Sequence, residues 1–293
     1  MSVTVEQIKQ LREATGLGMM VCKKALVETG GNMEEAVNNL RKQGEATAAK
    51  RAGKSANEGK IVVTIGPDSG LIYEVNCETD FVARNEDFLA FVDELGKLLE
   101  HNKPADIARA KELTSEKFGG ETVEARIVEL MGKIGEKITF RRFHVEEFDP
   151  SKERLASYVH GNGRLGVIVK LAADKQEALD KEDVAELGKE LAMQITATNP
   201  LAPSREQIPA EIIEREREIY LTQVQNSGKP EKIWDKIVEG KLGKFYKESV
   251  LVEQPYIREP DRAVKDRIAQ TEKAVESGIT VRGFVRYELG SEE

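Results

Sequence analysis

Cysteine, histidine and tryptophan are scarce in this chain of 293 residues, which holds two Cys, three His and one Trp. Cys22 and Cys77 fall in different expected units and cannot build the dense disulfide framework of a small secreted domain, so both are expected to be reduced thiols. His101, His144 and His160 stand in no Cys/His cluster with zinc-ligand spacing, and no sequence context ties one of them to a thiol. A zinc site and a cysteine–imidazole nucleophile are therefore both disfavoured, and Cys77 reads as buried and inert. Also missing is any apolar run approaching the roughly 20 residues that cross a bilayer. Met1 to Gln7 carry neither the basic stretch nor the apolar core of an export signal, so a soluble cytoplasmic protein without a membrane partner is expected. There is no excess of positive charge: the net charge of -8 argues against a general nucleic-acid binder, which presents a basic face. What remains, at 33% charged and 40% hydrophobic residues, is the composition of a folded globular chain. It is long enough for two or three cores.

Two stretches mimic nucleotide-binding motifs. Gly161-Asn162-Gly163-Arg164-Leu165-Gly166 satisfies G-x-G-x-x-G, but the dinucleotide fingerprint needs a helix to follow, and Val167-Ile168-Val169-Lys170-Leu171 reads as a strand. It is a hairpin turn. Gly53-Lys54-Ser55 resembles the end of a P-loop, yet Ala48 occupies the earlier glycine position and no apolar strand precedes it. Nucleotide binding by this chain is rejected, and no cofactor or metal is expected.

The order of elements reads as α+β. Residues 1–45 form three short helices. Thr4 and Gln7 fit a capping box ahead of Ile8 and Leu11; Gly16 and Gly18 punctuate; Val21 to Thr29 is a second helix stopped at Gly30-Gly31. Asn32 to Glu35 is a second capping box, followed by Ala36, Val37 and Leu40 on one face. So small a bundle has a marginal core and suits a docking module. Residues 46–59, rich in Ala, Lys, Gly and Ser, read as a linker, helical at first; solvation is the better reading of its basic residues and contact with an acidic partner the second.

Residues 60–148 then read as a hairpin around Gly66-Pro67-Asp68-Ser69-Gly70, helices, and a closing strand Ile138-Thr139-Phe140-Arg141-Arg142-Phe143. Residues 149–290 repeat the order around Gly161-Asn162-Gly163 and close with Ile279-Thr280-Val281-Arg282-Gly283-Phe284. Both closing strands spell Ile-Thr-x-Arg-x-Phe, which points to two related subdomains, each a three-stranded antiparallel sheet with helices. The second carries an insertion over about 205–248. There a charged helix with a narrow stripe at Ile212, Ile219, Leu221 and Val224 turns at Asn226 to Pro230 into a helix bearing Ile233, Trp234, Ile237, Val238 and Leu242, an antiparallel helical hairpin.

The most informative nine residues are Cys77-Glu78-Thr79-Asp80-Phe81-Val82-Ala83-Arg84-Asn85. They follow a β-rich run, Leu71 to Asn76, and precede a helix capped by Asn85 with apolar positions at Phe88, Phe91, Val92, Leu95 and Leu99. An acid and a large aromatic thus sit on a strand-to-helix corner, where a scaffold can present a group to a partner. Read from the residues alone, the plainer alternative is that Asp80 forms the turn and Phe81 packs under the helix, since most aromatics are buried.

Glu74 to Asn85, E-V-N-C-E-T-D-F-V-A-R-N, resembles the signature of the bacterial translation elongation factor Ts family. Further matches lie at Leu11 to Leu26, Lys133 to Ile138, Ser157 to Gly161 and Ser227 to Pro230, in order and over almost the whole chain. The resemblance implies a guanine-nucleotide exchange factor, not an enzyme and with no catalytic residues, for the GTPase elongation factor Tu in its GDP form. It implies that the first three helices are a ubiquitin-associated-like domain touching that GTPase, and that the helical hairpin is a projecting coiled coil. Thr79, Asp80, Phe81 and Val82 match the residues that insert between helices of the GTPase and disturb its magnesium site. His160 matches a histidine near the partner's phosphate-binding loop, and Ile134-Gly135 a contact stretch. A surface histidine and a tight helix–strand turn explain these equally well. Met19 and Met20 read either as a soft docking patch or as bundle core. Longer relatives continue into a further helix that grips the partner; this chain ends at Gly290-Ser291-Glu292-Glu293, so that contact is not carried over. A one-to-one complex, a homodimer and a two-to-two complex all stay open.

Overall fold

The capping signals are realised atom for atom at the start of the chain. In the computed structural model, which describes residues 3–15 and 17–291, Gln7 N–H donates to Thr4 Oγ1 at 3.2 Å and Thr4 N–H donates to Gln7 Oε1 at 3.0 Å. This reciprocal pair satisfies donors that a helix start leaves free. Gly16 lies outside the described residues, as do Glu292 and Glu293 of the terminal tetrapeptide. Helices α1 (Val5–Thr15), α2 (Met19–Glu28) and α3 (Met33–Arg51) enclose a small core of Ile8, Leu11, Cys22, Ala25, Leu26, Ala36 and Leu40. Asn32 caps α3 by accepting from Glu35 N–H at 3.2 Å. Helix α3 runs on through Gly44 and the alanine-rich stretch to Arg51, so the first residues of the 46–59 segment are helical.

By their internal contacts the residues group into two compact units. The first comprises Met1–Val62, Tyr73–Val145 and Glu288–Glu293. Besides the three helices it holds most of a sheet ordered β1 (Glu58–Ile65), β2 (Ser69–Cys77), β3 (Thr139–Glu147), and helices α4 (Glu86–Asn102), α5 (Ile107–Glu112) and α6 (Val123–Ile134). All five apolar positions expected on α4 are buried: Phe88, Phe91, Val92, Leu95 and Leu99. Close approach of α4 to β2 depends on Gly96, where a Cβ would stand 2.5 Å from the Tyr73 hydroxyl oxygen. Tyr73 donates that hydroxyl to Val92 O at 2.8 Å, so the tyrosine is buried with its polar atom satisfied. A second close approach joins α3 to α6, since a Cβ on Gly132 would lie 2.9 Å from Gly44 Cα. Glu74, fully buried on β2, is held by Arg142 Nε at 2.7 Å, Asn76 Nδ2 at 2.8 Å and Gly290 N–H at 2.8 Å. A buried carboxylate needs such partners.

The second unit comprises Val63–Ile72 and Glu146–Tyr287. Its sheet is ordered β4 (Glu153–His160), β5 (Leu165–Ala173), β8 (Ile279–Glu288), with β4 and β5 antiparallel from Glu153↔Ala172 to His160↔Leu165. Their turn uses left-handed backbone at Gly161 (φ 61°), Asn162 (φ 58°) and Gly163 (φ 93°), so the G-x-G-x-x-G stretch leads into a strand. After α7 (Gln176–Leu179), helix α8 (Glu182–Thr198) lies close on the sheet: a Cβ on Gly188 would meet Ala156 Cβ at 2.6 Å. Val167, Val169, Leu171, Leu187, Leu191 and Ile195 fill this core.

Helices α9 (Ala210–Gln225) and α10 (Trp234–Ser249) pack together around Val224, Val238 and Leu242, with Tyr220, Leu221, Trp234 and Ile237 alongside. Ile219, expected in this stripe, is instead 39% exposed; Ile213 and Tyr220 take the inward positions. The short strands β6 (Pro255–Tyr256) and β7 (Glu259–Ala263) lead into α11 (Val264–Val275). Buried Glu190 on α8 accepts from Arg258 and Arg267, each at 2.8 Å, and so fixes this hairpin and α11. Among the described residues no helix is long and apolar enough to cross a membrane.

Candidate functional site

Between β2 and α4 the chain turns through one 3₁₀ turn, Val82–Arg84. Phe81 enters that turn with φ -64° and ψ -44°, ordinary right-handed backbone without strain. Its side chain is 82% exposed, whereas the neighbours that follow it, Val82 and Ala83, are 8% and 6% exposed. The packing of Phe81 under the helix, the plainer expectation, is therefore wrong for this chain. Val82 anchors the corner from below and Phe81 stands out of it. Asp80 is half-buried and pairs with Arg84 Nη2 at 3.1 Å. An exposed i,i+4 pair of this kind contributes little to stability.

Thr79 is the fixed point. Its N–H donates to Glu136 Oε2 at 3.0 Å and its hydroxyl to Glu136 Oε1 at 2.8 Å. Its carbonyl accepts from Ala83 N–H at 3.2 Å and from the Cys77 thiol at 3.1 Å. On its other side Glu78 accepts from Arg51 Nη1 at 2.9 and 3.1 Å and from Lys137 N–H at 2.7 Å. Asn85 then caps α4, accepting from Asp87 N–H at 2.9 Å and Phe88 N–H at 3.2 Å. Hydrogen bonds to charged groups are worth about 1.5–3 kcal/mol each, so the corner is held far more firmly than a free loop.

Gly135 explains how Glu136 arrives there. It ends α6 in left-handed conformation at φ 82°, with its N–H on Met131 O at 2.9 Å. The chain thereby reverses just before Glu136. Ile134 and Gly135 are both half-buried beside this bend. Burial, reinforced by the carboxylates of Glu136 and Glu58, pushes the Cys77 thiol up to about 12. It stays protonated and acts as a hydrogen-bond donor rather than a nucleophile.

The remaining expected residues lie elsewhere. Met19 and Met20 stand on the outside of α2 at 55% and 72% exposure, not in the bundle core. His160, in the second unit, is exposed at the end of β4, with Nδ1 3.1 Å from the Tyr158 hydroxyl. The sequence gives no sign that Glu136 and Arg51 grip this corner, Glu136 at Thr79 and Arg51 at Glu78. Glu136 adjoins Gly135 in a stretch already singled out, but no local periodicity joins it to a threonine 57 residues away.

Chemically the corner offers an apolar ring with a carboxylate beside it, on a rigid mount. Among the described residues there is no group of three His, Cys, Asp or Glu placed to hold a metal. A shallow depression of about 420 Å³, lined by Pro104–Ile107 and Arg141–Val145, shares no residue with the corner. A fully buried phenylalanine stabilises by roughly 1.5–3 kcal/mol relative to an exposed one, and this ring has that free energy still to gain from a partner.

A family model described as Elongation factor TS matches residues 78–291. Curated proteins named Elongation factor Ts are similar over nearly all of the chain. That of Clostridium botulinum (strain Alaska E43 / Type E3) is 44% identical over 291 residues, covering 98% of this chain and 93% of the relative. That of Chlorobium luteolum is 45% identical over 291 residues, 98% of this chain and 99% of the relative. That of Prosthecochloris aestuarii is 43% identical over 295 residues, 99% of each.

Proposed function

The chain belongs to the elongation factor Ts family, and from that premise we propose that it is a guanine-nucleotide exchange factor for the translation GTPase elongation factor Tu. It binds the GDP form and promotes GDP release, so that GTP can rebind. It makes and breaks no bond; its task is to stabilise a nucleotide-free partner. By linkage, whatever factor it takes off the nucleotide's affinity, nucleotide takes off its own, and each tenfold step needs about 1.4 kcal/mol of differential contact. A magnesium ion between phosphates keeps several waters and few protein ligands, so a small displacement of those ligands weakens it.

The observation that carries this reading is Phe81: a large apolar residue 82% exposed on a corner that is anchored at Thr79 and Asn85 and rests on buried Val82 and Ala83. Phenylalanine has only two side-chain torsions to immobilise and so loses little entropy on insertion. Phe81 is the wedge, Asp80 takes a donor of the partner's phosphate region, and Thr79 and Val82 hold them in place. Ile134, Gly135 and His160 serve as secondary contacts, and Met19 and Met20 belong to a docking domain over residues 1–45. The same premise makes α9 and α10 a coiled-coil hairpin and the two sheet-and-helix regions related subdomains.

Stopped-flow release of a fluorescent GDP from elongation factor Tu tests this. The chain is expected to accelerate release strongly, and Phe81→Ala to cut the acceleration about ten- to a hundredfold, the worth of one buried phenylalanine. Binding without acceleration would leave a scaffolding protein and sink the proposal.

A further inference from the structure

We propose that Glu136 is a positioning residue for exchange, fixing the corner through Thr79 so that Phe81 is delivered in a single conformation, with α3 as a strut behind it. This rests on the wedge reading of Phe81 given above.

Thr79 is the last residue before the turn that carries Asp80 and Phe81, and both its donors end on one carboxylate, at 3.0 and 2.8 Å. Its hydroxyl oxygen also faces Val82 N–H at 3.4 Å, so the group gripped by Glu136 is the one that starts the turn. Glu136 is itself fixed on both sides. Gly135 closes α6 before it. After it, Lys137 donates its backbone N–H to Glu78 and its Nζ to the carbonyls of Ala52 at 2.7 Å and Lys54 at 2.9 Å. Arg51, the last residue of α3, closes on Glu78 from that same end. The helices that lead to these groups, α3 and α6, pack backbone to backbone at Gly44 and Gly132, where a Cβ on Gly132 would lie 2.9 Å from Gly44 Cα. Two acid-centred clamps, Thr79 on Glu136 and Arg51 on Glu78, therefore flank the turn.

None of these clamp groups offers the partner an apolar surface; their contribution is made before binding. A wedge on a loose hinge spends binding free energy on ordering itself, while one already ordered applies it to the partner. Loss of the clamp should thus lower the maximal rate of GDP release and leave docking nearly intact.

The experiment measures fluorescent GDP release against factor concentration for the full chain, Glu136→Gln, Glu136→Ala and Thr79→Val, each with Phe81 and with Phe81→Ala. Glu136→Ala is expected to lower the plateau rate about tenfold, with the half-saturating concentration within about twofold. Glu136→Gln keeps one carbonyl oxygen to accept from Thr79 and turns the other position into an amide donor that the Thr79 hydroxyl oxygen can accept from, so it should recover part of the loss. In the Phe81→Ala background the further loss should vanish, because Glu136 acts through that ring. An equal loss in both backgrounds, or none in the first, would overturn the positioning role while the wedge reading stands. If Phe81→Ala itself leaves the plateau unchanged, the wedge reading fails and this inference with it. Should Glu136→Ala fold poorly in a thermal melt, Thr79→Val, which removes the hydroxyl with its bond to Glu136 and its longer contact with Val82 N–H but keeps the backbone N–H, must show the same dependence on Phe81 in smaller measure; its absence would overturn the inference.

Discussion

Phe81 at the β2–α4 corner and Met19–Met20 at the start of α2 are all apolar and all in solvent, at 82%, 55% and 72% exposure, yet what stands behind them differs. The corner is gripped by Glu136, Arg51 and Lys137 and rests on buried Val82 and Ala83. The methionines begin a helix whose N-cap, Gly18, makes no side-chain cap bond, on a bundle whose core is seven small or medium side chains. A phenylalanine on a stiff mount keeps its shape when pressed; methionines on a light bundle adapt to whatever they meet. One surface suits displacement and the other attachment. An exposed apolar residue is thus informative only together with the stiffness of its mount.

The comparison is sharpened most by substitutions that separate exposure from burial within one segment. Phe88, seven residues after Phe81, is fully buried in the first turn of α4. Phe88→Ala is expected to lower unfolding stability by about 3–5 kcal/mol. Phe81→Ala should change it by no more than about 0.5 kcal/mol. Urea unfolding of both variants checks this. A comparable loss at Phe81 would make it a structural residue and erase the distinction between corner and core.

The next effect concerns the mount. Gly132→Val puts a branched side chain where even a Cβ lies 2.9 Å from Gly44 Cα. Because the obstacle is backbone, no rotamer relieves it, and α3 must separate from α6. A loss of about 2 kcal/mol is expected in thermal unfolding, within the range for overpacking. A neutral result would show that α3 is free to move away from α6, and the corner would then lack its strut.

Local signals were legible and distant ones were not. The Thr4–Gln7 box, the Asn85 cap and the apolar stripe of α4 each act within a few residues, where spacing alone determines the contact. The exposure of Phe81 was legible from the corner and the family resemblance but not from residue type, because aromatics are usually buried and it is the packing of Val82 and Ala83 beneath the turn that leaves this one out. Glu136 and Arg51 were missed for a related reason. Their partners, Thr79 and Glu78, come from other segments of the chain, which only the folded sheet and helices bring together. The alanine-rich segment after residue 45 reads as a linker by composition. It is helix as far as Arg51, where α3 delivers its guanidinium to Glu78. Gly44 packs against a neighbour, Gly132, that no window around it contains.

The smallest expected effect tests the soft side of the comparison. Met19 and Met20 contribute nothing to the bundle core, which is built from Ile8, Leu11, Cys22, Ala25, Leu26, Ala36 and Leu40. Changing both to Ala should therefore leave stability within about 0.5 kcal/mol. In the exchange assay each methionine would be only partly buried by a partner, so the pair is worth about 1 kcal/mol, well below full burial of two side chains. That corresponds to roughly a fivefold rise in the half-saturating concentration, with the plateau rate of GDP release unchanged. Changing both to Leu, which keeps apolar bulk, should restore most of the affinity if the patch works by burial alone. The opposite pattern, a lowered plateau at unchanged half-saturation, would mean that α2 also drives displacement. A soft surface would then be doing what the comparison reserves for a stiff one, and the firmness of the Thr79–Glu136 corner would no longer explain why Phe81 stands where it does.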